Sequence, residues 1–126
     1  MNKQLYLDTN VIMDFFLNRD SAAYTILIRA LQCEFFIITS PLVIRELLYQ
    51  GLEQETKMLI NLLKNQNKVQ ICTIKQEHKR EARKLQTHYA DALHKVLAKS
   101  SNAVLVTKNT KDYPFTDIIV KMPDEI

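Results

Sequence analysis

A chain of 126 residues, 47% hydrophobic and 25% charged, fits one globular domain over residues 1–126 with a real core. One glycine and three prolines exclude a flexible linker, and no low-complexity tract or internal repeat is present. Asp14, Arg29 and Glu34 keep the apolar stretches of the N-terminal half short of a membrane span, and a net charge of +3 is too mild to identify a nucleic-acid binder by itself.

Leu5–Leu7 reads as a short buried strand. Asp8 then falls where a signal peptide needs apolar residues, so the expectation is a cytoplasmic protein. Val11–Leu17 reads as a helix starting directly after the strand. Asp20 or Ser21 can cap a second helix through Leu31, with Tyr24, Leu27, Ile28 and Leu31 on one face. Phe35–Thr39 is the clearest strand, dense in aromatic and β-branched residues. Ser40-Pro41 supplies an N-cap followed by proline at the first helical position, and Gly51 is placed to end that helix. Glu53–Lys64 forms a fourth helix ending at Asn65, and Val69–Ile74 a third strand. Gln76–Ser100 is helical, broken near His88–Tyr89. Ala103–Thr107 is a fourth strand and Ile118–Val120 a short fifth. Strands alternating with helices predict an α/β fold, a three-layer sandwich around a mainly parallel four- or five-stranded sheet. Cys33 and Cys72 stand far apart with no C-x-x-C pairing, and read as reduced core residues.

Four oxygen-bearing side chains fall just past these strands or in the helical turns after them: Asp8, Glu46, Asp91 and Asn109. If the strands are parallel, their carboxyl ends share one sheet edge, where open α/β sheets bind ligands. Three carboxylates gathered there repel unless a cation sits between them, and hard divalent ions, Mg²⁺ or Mn²⁺, suit an all-oxygen site. Each residue has a plainer account. Asp8 can cap the first helix, Glu46 can pair with a surface base, Asp91 can meet the helix dipole, and Asn109 can occupy a turn. Together those accounts require four coincidences at matching strand ends.

Leu7-Asp8-Thr9-Asn10-Val11-Ile12-Met13-Asp14 resembles the opening motif of the PIN-domain nucleases. Pro41-Leu42-Val43-Ile44-Arg45-Glu46-Leu47 resembles their second motif, and Ala90-Asp91-Ala92-Leu93 their third. Leu105-Val106-Thr107-Lys108-Asn109-Thr110-Lys111-Asp112-Tyr113 resembles the closing one. Each motif is short; their order and spacing from Leu5 to about Val120 carry the likeness. Size and the lack of extra domains look most like VapC-type toxins, the ribonucleases of toxin–antitoxin pairs. The resemblance implies that Asp8, Glu46 and Asp91 bind the metal. The fourth family position, Asp in many members, is Asn109 here, which offers a carbonyl oxygen without charge. Asp112, three residues on, either restores that charge as a ligand or caps the Tyr113-Pro114 turn.

The implied activity is Mg²⁺- or Mn²⁺-dependent endoribonuclease hydrolysis of RNA, with Asp8, Glu46, Asp91 and Asn109 as catalytic positions. The implied partners are RNA, an antitoxin protein and a second copy of the chain in a homodimer. Metal ions held by such acids can activate water and clamp the attacking and leaving oxygens from about 4 Å apart. Thr9, Asn10 and Thr107 are read as orienting the acids, and Asp14 as solvated. Lys75, Lys79 and Arg83, with Arg80 and Lys84 alongside, form a basic stripe that either holds a phosphate backbone or is a solvated face interleaved with Glu77 and Glu81. Lys108 and Lys111 are better placed to meet a substrate phosphate. His78, His88 and His94 fit no zinc pattern, and His94 reads as a partly exposed helix residue. Apolar residues on more than one face of Met58–Leu63 and Ala22–Leu31 require core on both sides or a partner. The competing reading is a PIN-like RNA- or protein-binding module with weak or no catalysis, marked by Asn109. A phosphatase-type domain would place a second acid two residues after Asp8, where Asn10 stands, and a receiver domain would place one beside the first.

Overall fold

A computed structural model describes residues 3–32 and 34–126. The expectation for Cys33 lies outside the described residues; Cys72 is partly buried against the core. The chain begins with β1 (Lys3–Leu7), α1 (Thr9–Phe16), α2 (Ser21–Leu31) and β2 (Phe35–Thr39). It continues through α3 (Pro41–Tyr49), α4 (Glu53–Asn65), β3 (Val69–Ile71), α5 (Gln76–Lys84) and α6 (Tyr89–Ser100). It closes with β4 (Val104–Val106) and β5 (Val120–Lys121), and short 3₁₀ turns cover Thr110–Asp112 and Pro123–Glu125. The strands pair in the order β3-β2-β1-β4-β5, every pair parallel.

The order explains the layers. From β1 the chain steps outward to β2 and β3, then crosses back over β1 to β4. Right-handed crossovers, the near-universal hand, then set α1–α4 on one face and α5–α6 on the other. The packing agrees, with α1 against α2 and α3, α3 against α4, and α5 against α6. Covered on both faces, β1 has no polar alternation: Leu5, Tyr6 and Leu7 are all at most 1% exposed. Among the described residues no helix is long and apolar enough to cross a membrane.

Local chemistry fixes the element ends. Asp20 caps α2 by accepting from Ala22 N at 2.9 Å, and Ser40 caps α3 by accepting from Val43 N at 3.3 Å. Gly51 takes φ 79° just past α3, the left-handed conformation that stops a helix. Asn18, Asn67 and Asn102 do the same after α1, α4 and α6, with φ of 53–54°.

Two expectations shift. The third strand stops at Ile71 rather than Ile74, because β2, its one partner among the described residues, ends at Thr39 opposite Ile71. The buried stripe of α2 is Ala23, Ile26, Leu27 and Ala30, one residue away from the face expected from Tyr24 and Ile28; Tyr24 is 51% exposed.

Candidate active site

The chain leaves β1 in one direction and returns to β4 on its other side, so a crevice opens beyond the carboxyl ends of these two strands, the place where doubly wound sheets bind ligands. Asp8 follows β1 directly, its backbone N–H donating to Val106 O of β4 at 2.9 Å. The groove there, of about 440 Å³, is lined by Asp8, Glu46, Asp91, Asn109 and Asp112, with Arg45 and Tyr49 among its walls. Each acid reaches this space from a different part of the chain: Asp8 directly after β1, Glu46 from α3, Asp91 from the first turn of α6 and Asp112 from the turn after β4, so the topology gathers residues as far apart in sequence as Asp8 and Asp112.

Asp8 sits at the N-cap position of α1 but makes no side-chain cap bond. Its Oδ2 instead accepts from Thr107 Oγ1 at 2.9 Å, and that hydroxyl in turn accepts from Asn109 N at 3.1 Å. Burial pushes the Asp8 carboxyl above its usual range, and the charge of His94 and the Thr107 hydrogen bond only partly oppose this. Glu46 meets the opposite outcome. Burial raises it, but hydrogen bonds from His94 and Thr9 outweigh that and hold it below the ordinary carboxylate range. Thr9 Oγ1 donates to Glu46 Oε1 at 2.6 Å, and His94 Nε2 lies 3.0 Å from the same oxygen. Tyr113, 3% exposed, donates its hydroxyl to Asp91 Oδ1 at 3.3 Å. Burial and the charges of Asp8 and Asp91 drive the Tyr113 phenol far above its usual range, so it stays a donor.

Thr9 and Thr107 therefore orient acids as expected, whereas Asn10 lines the groove without a side-chain bond among the described residues. Asp112 also makes no side-chain hydrogen bond among them and lines the groove, so capping of the Tyr113-Pro114 turn is not its role. The donors are all oxygen, a set that fits a hard divalent cation. Among the described residues, however, no three acids or histidines are drawn together tightly enough to form a ready metal cluster. One oxygen each of Asp8, Glu46 and Asp91 is tied back into the protein, and neighbouring carboxylates repel one another.

Two residues were misread from sequence. Asp14 is 3% exposed rather than solvated: Arg19 Nη2 reaches its Oδ1 at 3.1 Å, and Lys108 Nζ reaches Oδ2 at 2.6 Å as a charge contact without hydrogen-bond alignment. Lys108 thus leans on Asp14 of α1. His94 is 2% exposed and bonded at both ring nitrogens, not a partly exposed helix residue. Tyr6, Tyr113 and His94 were missed as parts of the site: Tyr6 lies within the apolar run of β1, Tyr113 beside a turn proline and His94 on a helix beside Lys95, and their hydroxyls and ring nitrogens were the available signal. The basic stripe of α5 does not line the groove, since that helix buries His78 and Ala82 and turns the stripe outward.

The fold resembles several solved toxin–antitoxin assemblies. The VapBC2 complex of Rickettsia felis, bound to a promoter DNA fragment, matches with a TM-score of 0.70 at 19% identity, covering 94% of this chain and 98% of that one. VapBC-1 of nontypeable Haemophilus influenzae matches with 0.69 at 19% identity, covering 96% and 98%. A toxin–antitoxin complex from Klebsiella pneumoniae matches with 0.65 at 20% identity, covering 91% and 95%. No curated protein matches the sequence. The PIN domain family model matches residues 5–118, nearly the whole chain and all of the acidic groove, and the chain belongs to that family.

Proposed function

We propose that this protein is a Mg²⁺- or Mn²⁺-dependent endoribonuclease of the VapC type, the cytoplasmic toxin of a toxin–antitoxin pair. The observation that carries the reading is the convergence of Asp8, Glu46, Asp91, Asn109 and Asp112 on one groove at the topological switch point. Asp8, Glu46, Asp91 and Asp112 would hold the cation, with Asn109 offering a neutral oxygen at the rim. When bound, the cation supplies Lewis acidity toward a phosphate and lowers the pKa of water. The chain's own residues do the rest. Thr107 and Thr9 fix the carboxylates, Tyr113 holds Asp91, and Arg45 at the groove wall presents a guanidinium to a phosphodiester.

An antitoxin is the proposed partner. A groove of about 570 Å³ between Phe15 and Phe16 of α1 and Met58, Leu59 and Leu62 of α4 supports this, with Met58 72% exposed. An amphipathic peptide fits such a surface. A homodimer is proposed on the family likeness, and sedimentation would test it.

The deciding experiment incubates purified protein with a panel of structured RNAs and Mg²⁺ or Mn²⁺, repeated with chelator. Cleavage that chelator stops, together with growth arrest on expression and none for Asp8→Ala, is the expected result. RNA binding without cleavage would favour a non-catalytic module, the reading that Asn109 in place of a fourth acid supports.

A further inference from the structure

Behind the groove lies a line of buried polar groups that the metal chemistry does not use. Ser40 Oγ is 2.8 Å from Tyr6 OH, Tyr6 OH is 2.8 Å from His94 Nδ1, and His94 Nε2 is 3.0 Å from Glu46 Oε1. The line joins β1, the start of α3 and the middle of α6. Ser40, Tyr6 and His94 are each at most 2% exposed. Three polar side chains so deeply buried are costly unless every one is paired, and here each is.

With the His94 ring neutral, the partners fix the direction of every bond. A carboxylate only accepts, so the hydrogen between His94 and Glu46 resides on Nε2. In the neutral ring Nδ1 is then an acceptor, so Tyr6 must donate to it. Burial keeps the Tyr6 phenol protonated. Tyr6, having spent its one hydrogen, accepts from Ser40, whose oxygen also receives Val43 N. At the other end Glu46 Oε1 receives both Thr9 and His94, while Oε2 makes no hydrogen bond among the described residues.

We infer that Ser40, Tyr6 and His94 form a one-directional relay that pins Glu46 Oε1 and leaves Oε2 alone to meet a cation in the groove. His94 is thus a positioning residue for a single-oxygen ligand, and Tyr6 selects the tautomer that lets it donate. The inference rests on the metal-dependent reading of the groove. Groups that orient a ligating side chain are typically worth about 10- to 100-fold in metal affinity.

Two measurements test it. In the metal-free wild type, at a pH where the spectrum itself shows a neutral ring, long-range ¹H–¹⁵N spectra should place the His94 proton on Nε2. A proton on Nδ1 overturns the relay whatever the enzyme does. Mn²⁺ binding, read from the electron paramagnetic resonance of the free ion, should weaken about 10- to 100-fold in His94→Leu. His94→Gln, whose amide can still donate, should recover much of that loss. Equal Mn²⁺ affinity in folded His94→Leu and wild type overturns the inference, as does a wild type that binds no Mn²⁺. If His94→Leu does not fold, Tyr6→Phe makes the same comparison: it should mix the His94 tautomers and weaken Mn²⁺ binding, and no change in either overturns the relay. RNA cleavage by the wild type is scored apart. A His94-dependent Mn²⁺ site without cleavage overturns the nuclease reading and leaves the relay standing, whereas cleavage with His94-independent Mn²⁺ binding does the reverse.

Discussion

Asp8 and Asp117 are aspartates in loops attached to the two neighbouring strands β1 and β4, and the fold treats them in opposite ways. Asp117 lies at the surface between β4 and β5 and receives two lysines, Lys95 Nζ at 2.7 Å and Lys99 Nζ at 2.8 Å. Those hydrogen bonds and charges hold its carboxyl well below the usual range. Lys95, itself 6% exposed, also lies over the Phe115 ring at 4.9 Å, so the clasp ties α6 to the loop before β5. Asp8 is buried, has a hydroxyl instead of a lysine, and faces Glu46, so burial pushes its carboxyl up. One carboxylate has its counter-charge built in, and the other is kept without one. Where structure alone is needed, the chain supplies a base. At Asp8 it sets a hydroxyl instead, an arrangement that suits the cation-binding role proposed above.

The largest expected effect breaks the contrast at Asp8. Asp8→Ala should lower RNA cleavage by at least about 10²-fold while the far-ultraviolet circular dichroism is unchanged. The neutral isostere sharpens the point. The folded Asp8 carboxyl lies above its unfolded value, so its contribution is most favourable below the unfolded pKa and is lost as pH rises through the folded one. Asp8→Asn should therefore melt a few degrees above the metal-free wild type at neutral pH, and the two should converge in acid. A lower melting temperature at neutral pH would instead assign Asp8 a structural role.

The next effect concerns Asp14, a buried acid that does have its bases. Asp14→Ala should cost roughly 1–3 kcal/mol in urea unfolding, because Lys108 and Arg19 lose the carboxylate that anchors the loop after β4 to α1. An unchanged midpoint would show that the loop is held by Tyr113 alone.

Asp117→Asn is expected to cost less, at most about 1 kcal/mol, since the pair is 42% exposed on the acid side and screened by solvent. The folded value is depressed, so this stability is full above the unfolded carboxylate pKa and disappears as pH falls through the folded one. High salt should shrink it in parallel, and a salt-independent loss would point to packing of Lys95 on Phe115 instead.

The smallest effect is at the basic stripe. Lys79→Ala should leave stability and Mn²⁺ affinity unchanged and reduce the slope of log RNA affinity against log salt by about one unit. An unchanged slope would return the stripe to a plain solvated face.

Much of this was legible in the sequence because it depends on local rules. The caps at Asp20 and Ser40, the left-handed Gly51 after α3, the apolar runs of β1 and β2 and the break between α5 and α6 follow from neighbours a few residues apart. The alternation of strands and helices then dictated crossovers and a parallel sheet, and a parallel sheet brings residues just past its strands to one edge. That reasoning placed Asp8, Glu46, Asp91 and Asn109 together, and all four line one groove. What sequence could not decide is which side chain satisfies which. Asp8 looks like a helix cap, Asp14 like a solvated helix residue and His94 like a surface histidine, since one helical turn does not reveal what packs on it. Only the tertiary structure brings Thr107 to Asp8, Lys108 to Asp14, and Tyr6 and Glu46 to His94, across separations of 99, 88 and 48 residues in the three hydrogen-bonded pairs. Burial and hydrogen-bond partners set the charge and direction of those groups, and both are properties of the packed layers rather than of any segment.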